Sequence, residues 1–180
     1  MSADRTAPDV VLIGPPGAGK TVVGAAVAAA LGTTFRDTDQ DVERLTGKSI
    51  PDIFLEDGEP AFREFEHGAV QTALNEHTGV LALGGGAVLD ERTQSLLGEH
   101  VHDGHVVVFL DVGLADAAAR VGLNRDRPLL FENPRGRLKT LLDFRRPIYT
   151  EVASHTVVTT GRSVDDVTSE VLASMGPHVG

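Results

Sequence analysis

The chain has 180 residues and a formal net charge of −10, which predicts one domain and disfavours general binding to nucleic acid. Hydrophobic residues make up 41% and cysteine is absent, which excludes a disordered chain, disulfides, thiolate metal sites and a cysteine nucleophile. No apolar run approaches the roughly 18 residues of a membrane span, and residues 1–9 are too polar for a secretory signal. These features predict a cytoplasmic enzyme with no membrane partner.

The first predicted strand, Val10–Ile13, leads through a glycine-rich loop into an alanine-rich helix, Val22–Leu31. The loop reads GPPGAGKT and fits G-x-x-x-x-G-K-S/T, the phosphate-binding loop of nucleoside triphosphate enzymes. Glycine backbone can fold around phosphate oxygens, and the N-terminus of the helix adds positive potential. The pattern predicts Lys20 on the β- and γ-phosphates and the Thr21 hydroxyl on Mg²⁺. The predicted nucleotide contacts in this loop are Gly17, Ala18, Gly19, Lys20, Thr21 and Val22.

Asp37 and Asp39 follow the second predicted strand, Thr34–Arg36. Carboxylates at this edge of a parallel sheet lie where α/β proteins bind ligands, and alternation along extended chain would point both the same way. One could serve Mg²⁺ through water while the other orients an attacking hydroxyl. The alternative is a helix N-cap, since aspartate and threonine both suit that role. The phosphate-binding loop favours the functional interpretation.

The stretch from Asp39 to His77 is mostly helical in pattern and too long for one simple crossover, which predicts a small inserted subdomain. Ser49–Asp52 resembles a capping box, and Gly58–Pro60 breaks the chain before a further helix. That helix should bury Phe62, Phe65, Ala69, Val70, Ala73 and Leu74. Arg63 and Glu66 lie three residues apart on it, either as a surface ion pair or as a carboxylate-binding arginine held by Glu66.

The third predicted strand, Val80–Leu83, ends in three glycines, Gly84–Gly86. Bare backbone lets a ligand approach closely and leaves N–H groups free to donate, whereas a tight turn needs fewer glycines. We therefore favour a substrate contact. His100, His102 and His105 precede the fourth strand, Val106–Leu110, and their irregular spacing predicts a solvated loop rather than a metal site.

Eight of the sixteen lysine and arginine residues fall between residues 120 and 146. This concentration predicts binding of a small anion, although a solvated basic helix face is the alternative. Residues 120–134 have charges and prolines without apolar periodicity, which predicts a lid that carries Arg127 to a transferring phosphoryl group. Arg145–Tyr149 begins or interrupts a later helix, and a last strand, Thr156–Thr159, and helix, 163–174, complete the α/β pattern.

Six motifs together resemble the shikimate kinase family. They are a phosphate loop ending G-K-S/T, then D-T-D, F-R-x-x-E, G-G-G-A, R-P-L-L and R-x-P-L/I-Y. All occur here in that order, at Gly14–Thr21, Asp37–Asp39, Phe62–Glu66, Gly84–Ala87, Arg127–Leu130 and Arg145–Tyr149. The phosphate loop alone is shared by many families, but the six together are highly specific.

The resemblance implies an α/β, P-loop, nucleoside-monophosphate-kinase-like fold. It implies one domain, 1–180, with a five-stranded parallel sheet in the order 2-3-1-4-5 flanked by helices, a helical substrate-binding subdomain near 38–77 and a lid near 120–134. The implied activity is ATP-dependent phosphorylation of the 3-hydroxyl of shikimate in aromatic amino-acid biosynthesis. The implied cofactor is Mg²⁺, with ATP as co-substrate.

The resemblance also implies a role for individual residues. Asp39 would bind the shikimate hydroxyls, and Arg63 and Arg145 would hold the carboxylate. The remaining implied contacts are Gly85 and Gly86 with shikimate, Thr21 and Asp37 with the metal, Lys20 and Arg127 with the phosphoryl group, and Arg120 and Arg162 with the nucleotide.

Two other functions stay open at this point. A kinase for another small acceptor, such as gluconate or a nucleoside monophosphate, would share the phosphate loop but would not need D-T-D, F-R-x-x-E and G-G-G-A together. A non-catalytic regulator on the same fold is disfavoured because Lys20, Thr21, Asp37, Asp39 and Arg127 are all intact. No strong apolar surface stripe is visible in the sequence, which predicts a monomer.

Overall fold

The structure is a computed structural model that describes residues 7–122 and 133–177. Within these ranges the strands are β1 (Val10–Ile13), β2 (Phe35–Asp37), β3 (Val80–Ala82), β4 (Val106–Asp111) and β5 (His155–Val158). The helices are α1 (Lys20–Leu31), α2 (Thr38–Thr46), α3 (Ile50–Glu56), α4 (Glu59–Glu76), α5 (Glu91–His102), α6 (Leu114–Arg120), α7 (Pro134–Val152) and α8 (Val164–Ser174). A short 3₁₀ helix, Ala87–Leu89, follows β3.

All four strand pairs of the described sheet are parallel, and the strand order is β2-β3-β1-β4-β5. The predicted fold class and strand order are therefore confirmed. β1 lies in the middle, with Val10 in register with Val80 on one side and Val106 on the other. The order places the chain segments that follow β1, β2 and β3 next to each other at one edge of the sheet, where ligands of such sheets bind.

The central strands β3, β1 and β4 are buried on both faces, which explains why they are continuous apolar runs, whereas the edge strands β2 and β5 are partly exposed. Alternate residues of β1 belong to opposite cores. Val10 and Leu12 pack with side chains from α1 and α8, while Val11 and Ile13 pack with side chains from α4, α5 and α7. None of the described helices combines the length and the apolar content that a membrane crossing requires.

Helices α2 to α4 fill the connection between β2 and β3 and share a small apolar cluster of Val42, Ile53, Phe62 and Ala69. Both predicted start signals are confirmed. Ser49 caps α3 by accepting a hydrogen bond from the Asp52 N–H at 3.2 Å, and α4 begins directly after Gly58. Most of the predicted apolar face of α4 is buried, and Phe65 is partly buried. The assignment of these helices to a substrate-binding subdomain stays a prediction.

The predicted solvated loop at the histidines is wrong, because α5 extends to His102 and buries the His100 side chain. Leu97 and His100 lie three residues apart on the helix face that meets the core, and the His100 ring stacks on His105 at a centroid distance of 4.4 Å. Other boundaries differ from prediction by one or two residues. For example, α1 begins at Lys20 because Gly19 is its N-cap.

The burial of His100 predicts a loss of stability in mild acid. Burial lowers the pKa of His100 from 6.5 to about 4; the neighbouring His105 adds to this shift and Asp103 opposes it. Between pH 6.5 and about 4, the His100 side chain is therefore protonated in the unfolded chain but neutral in the folded chain. The free energy of unfolding should decrease as pH falls through this range. The decrease should be about 3 kcal/mol, since one pKa unit corresponds to about 1.4 kcal/mol.

Denaturant unfolding of a His100→Phe variant between pH 4 and 7 checks this expectation. The variant keeps a planar ring against His105 but has no proton to bind, so its stability should vary less over this range. His102→Gln is the matched control, because His102 is exposed on the same helix. An equal pH dependence in wild type and His100→Phe would contradict the expectation.

Candidate active site

The loop between β1 and α1 has the backbone that a phosphate-binding loop requires. Gly17 and Gly19 have φ angles of 81° and 91°, in the left-handed region that favours glycine. Lys20 is the first residue of α1, and its ammonium group donates to the carbonyl oxygens of Gly14 at 2.6 Å and Pro15 at 3.1 Å. The amine thus lies against the loop whose N–H groups would bind phosphate.

The two aspartates of D-T-D reach the same cleft, but not by the alternation that the sequence suggested. Asp37 ends β2, whereas Asp39 already lies in the first turn of α2. Asp37 Oδ1 accepts a hydrogen bond from the Asp39 N–H at 2.9 Å, so the helix-cap alternative is correct for that oxygen. The cap does not exclude a ligand, because a carboxylate has a second oxygen.

Three charged groups share this partly buried cleft. Burial raises the pKa of Asp39 to about 6, and the neighbouring Asp37 adds to the shift. Burial also raises the pKa of Asp37, and burial lowers the pKa of Lys20 to about 8 despite the two carboxylates beside it. The groups predicted to handle the phosphoryl group and its acceptor are therefore brought together by the fold.

The three glycines after β3 place bare backbone against these side chains. A Cβ on Gly84 would lie 2.4 Å from Asp39 Oδ1, and one on Gly86 would lie 2.5 Å from the Arg63 guanidinium. Both distances are far below van der Waals contact, so any side chain would displace the charged group. Among the described residues, the N–H groups of Gly85 and Gly86 have no hydrogen-bond partner. The turn can therefore donate two hydrogen bonds to a ligand.

Arg63 is held in place by carboxylates on its own helix. Its guanidinium donates to Glu66 at 2.7 Å and to Glu59 at 3.2 Å, and it lies over the Phe62 ring. The alternative of a surface ion pair is wrong, because Glu66 is 3% exposed. Burial raises the pKa of Glu66, while the hydrogen bond from Arg63 lowers it. Such a fixed, planar guanidinium suits a ligand carboxylate.

Arg145 reaches the cleft from α7. Its charge acts on Lys20 and on Glu66, and its guanidinium interacts with the Tyr149 hydroxyl. Helix α7 continues through Pro147, so the proline does not begin or end it. The next residue, Arg146, belongs instead to a structural ion pair with Asp111 at 3.1 Å. Not all of the arginines that are concentrated between residues 120 and 146 therefore face the cleft.

An open pocket beside the phosphate loop contains the other predicted nucleotide residues. Arg120 donates to the Gly17 carbonyl at 3.0 Å and lies 3.4 Å from the Thr159 hydroxyl. Arg162 donates to the Val158 carbonyl at 2.9 Å and pairs with Glu170. Both arginines line the pocket with Ala18, Gly19, Val22, Val23, Thr159, Ser163, Val164 and Val167. Apolar walls and guanidinium groups suit a planar base.

Thr159, Ser163 and Val164 also line this pocket, although the sequence pattern did not predict them there. They follow the last strand at the edge of the sheet where the phosphate loop lies, and that position was an available signal. The predicted Arg127 and most of the predicted lid lie outside the described residues.

The side chains beside the phosphate loop fit Mg²⁺. Thr21 offers a hydroxyl from the first turn of α1, and Asp37 offers a carboxylate from the end of β2. No group of three histidine, aspartate or glutamate side chains in the described part of the chain could hold a metal ion on its own. Mg²⁺ keeps several waters and binds one or two protein oxygens together with substrate phosphates, and Thr21 and Asp37 offer two such oxygens.

The phosphate loop follows the central strand of the sheet, and carboxylates and arginines lie at the same edge. This arrangement is typical of a P-loop kinase that acts on a small molecule. The family model for shikimate kinase matches residues 16–176. A shikimate kinase from Salinispora arenicola is 56% identical over 93% of this chain and 97% of the relative. The chain therefore belongs to the shikimate kinase family.

Solved structures agree with this assignment. A shikimate kinase from Acinetobacter baumannii in complex with shikimate superposes with a TM-score of 0.83 at 35% identity, over 94% of this chain and 92% of that chain. A gluconokinase from Sinorhizobium meliloti reaches a TM-score of 0.56 at 19% identity, over 95% of this chain and 93% of that chain. The second likeness concerns the fold alone.

Proposed function

We propose that the chain transfers the γ-phosphoryl group of ATP to the 3-hydroxyl of shikimate, a step in aromatic amino-acid biosynthesis. The observation that carries the proposal is the meeting of Asp39, Arg63 and the Gly84–Gly86 turn beside the phosphate loop. Asp39 suits the hydroxyls of shikimate, Arg63 suits its carboxylate, and the phosphate loop suits the phosphoryl group of ATP. The Acinetobacter baumannii relative with bound shikimate supports the choice of acceptor.

Each group in the cleft has one proposed task. Arg63 and Arg145 bind the shikimate carboxylate, and the N–H groups of Gly85 and Gly86 donate to the acceptor. Asp39 orients the 3-hydroxyl and accepts its proton, and Lys20 moves from the loop carbonyls to the phosphoryl group. Thr21 and Asp37 would hold Mg²⁺, which would supply positive charge beside the phosphate oxygens.

The proposal extends to features that the described residues do not test. Residues near 120–134 act as a lid that excludes water, and Arg127 in that segment stabilises the transferring group. The helices near 38–77 act as the substrate-binding subdomain of a single domain. The enzyme works as a monomer in the cytoplasm.

Removing Arg120 should weaken nucleotide binding and leave shikimate binding unchanged. Arg120 braces the phosphate loop through the Gly17 carbonyl and lines the pocket for the base. Loss of a charge-assisted hydrogen bond predicts about a tenfold or greater increase in the Kd of ATP for Arg120→Ala. Isothermal calorimetry with each ligand separately measures both affinities, and Arg92→Ala, which removes an exposed ion pair elsewhere, is the control. Unchanged ATP affinity would place the base in another pocket.

A coupled assay of ADP release tests the acceptor. The enzyme, ATP and Mg²⁺ are combined in turn with shikimate, gluconate and several nucleoside monophosphates. Turnover that depends on shikimate, with rates near background for the other acceptors, is expected. Preferred turnover of gluconate or of a monophosphate would contradict the proposal, and absence of turnover with every acceptor would favour a non-catalytic role.

A further inference from the structure

We propose that Thr38 and Tyr149 are positioning residues whose buried hydroxyls hold the Gly84–Gly86 turn from two sides and so aim its free N–H groups at the acceptor. The inference rests on the proposed function and adds two residues to it. Neither side chain is expected to touch shikimate. Their effect would act through the backbone of the turn.

Thr38 fixes the start of the turn. It stands between the two aspartates at the first position of α2, and it is fully buried. Its hydroxyl oxygen accepts a hydrogen bond from the Gly84 N–H at 3.2 Å. The middle residue of D-T-D thus joins the segment that carries Asp39 to the segment that carries the glycines.

Tyr149 fixes the middle of the turn. Its hydroxyl donates to the Gly85 carbonyl at 2.5 Å, and its ring stacks on Phe109 in the core at 5.0 Å. Burial raises the pKa of Tyr149, so the hydroxyl stays protonated and able to donate at neutral pH. Arg145 interacts with the same hydroxyl from the same helix. One hydroxyl therefore binds the glycine turn and lies within the electrostatic influence of a predicted carboxylate-binding arginine.

The hydrogen bonds to the turn fix the directions in which the Gly85 and Gly86 N–H groups point, because each peptide unit is planar. The described chain has no cis peptide bond, and in a planar trans peptide the C=O and the following N–H point in opposite directions. With the Gly85 carbonyl bound to Tyr149, the Gly86 N–H must point away from Tyr149. The Gly84 carbonyl accepts from the Ala87 N–H at 3.0 Å, which directs the Gly85 N–H in the same manner.

Consecutive glycines need such restraint. Without Cβ atoms they populate many backbone conformations, and ordering them on ligand binding would cost affinity. Thr38 and Tyr149 would lower that cost by holding the turn in its binding conformation beforehand. Their loss should therefore weaken shikimate binding more than ATP binding.

Steady-state kinetics of Tyr149→Phe and Thr38→Val test the proposal. Tyr149→Phe keeps the ring on Phe109, and Thr38→Val keeps the shape of the side chain. Each variant should raise the KM of shikimate about tenfold, as expected for one lost hydrogen bond, with the KM of ATP within about twofold of wild type. Because both hydroxyls hold one turn, the double variant should show less than the product of the single effects.

Thr93→Val is the matched control. Thr93 is 1% exposed, and its hydroxyl lies 3.0 Å from His67 Nδ1, a contact that involves neither the glycine turn nor Arg63. It should lose stability in thermal unfolding but keep the KM of shikimate. An unchanged KM of shikimate in folded Tyr149→Phe or Thr38→Val, or an equal rise in the KM of ATP, would overturn the inference. Failure of the wild type to phosphorylate shikimate would instead overturn the proposed function, and that assay needs no variant.

Discussion

Replacing Asp39 with asparagine should lower kcat by about 100-fold or more, the range for a positioned acid–base or orienting group. The substitution keeps the size of the side chain and removes the charge that faces Lys20 and the glycine turn. The backbone N–H of residue 39 still donates to Asp37 Oδ1, so α2 should still begin at the same residue. The loss should therefore appear in catalysis and not in folding.

An effect on catalysis is separated from an effect on folding by measuring the kcat of Asp39→Asn together with its circular dichroism and thermal unfolding. Asp52→Asn is a matched control, because Asp52 is an exposed aspartate in the first turn of the neighbouring helix α3. It should retain wild-type kcat. A folded Asp39→Asn enzyme with near-normal kcat would remove Asp39 from the mechanism.

Replacing Arg63 with alanine should weaken shikimate binding by roughly 10- to 150-fold, the value of a charge-assisted hydrogen bond. ATP binding should stay nearly intact, because Arg63 is not among the residues that line the pocket proposed for the base. Calorimetric titration with each ligand gives both affinities. A large loss of ATP affinity with unchanged shikimate affinity would mean that the acceptor site is placed wrongly.

The burial of Glu66 complicates the alanine variant. Removing Arg63 alone leaves a carboxylate that is 3% exposed without its partner, and an uncompensated buried charge can cost about 3–5 kcal/mol of stability. The double variant Arg63→Ala, Glu66→Gln removes both charges and should fold better while still binding shikimate weakly. Arg92→Ala, which breaks exposed ion pairs to Glu64 and Asp90, should change neither affinity.

Much of the fold was predictable because it depends on local patterns. The apolar run Val10–Ile13 and the loop that follows it specify strand, turn and helix within about twenty residues, and the start of α3 follows from the pattern Ser49–Asp52. The strand order came from the resemblance of six motifs, each of which marks one part of the known family fold. These features need no knowledge of what packs against them.

The rest depends on contacts between distant segments. Nothing near His100 in the sequence indicates that its ring is buried against the core, since the face of α5 that meets the sheet is set by tertiary packing. The bond from Tyr149 to the Gly85 carbonyl joins residues 64 apart, and the bond from Thr38 to Gly84 joins residues 46 apart. The sequence favoured a ligand-binding role for Asp37 over the helix-cap alternative, yet one of its oxygens caps α2.

Identification of the product by nuclear magnetic resonance tests the central claim most directly. The purified enzyme is incubated with ATP, Mg²⁺ and shikimate, and the phosphorus–proton couplings of the product are assigned. The proposed function predicts stoichiometric ADP and a new phosphate ester at the 3-hydroxyl of shikimate. A phosphate on another hydroxyl, or ADP formation without any phosphorylated shikimate, would contradict the account.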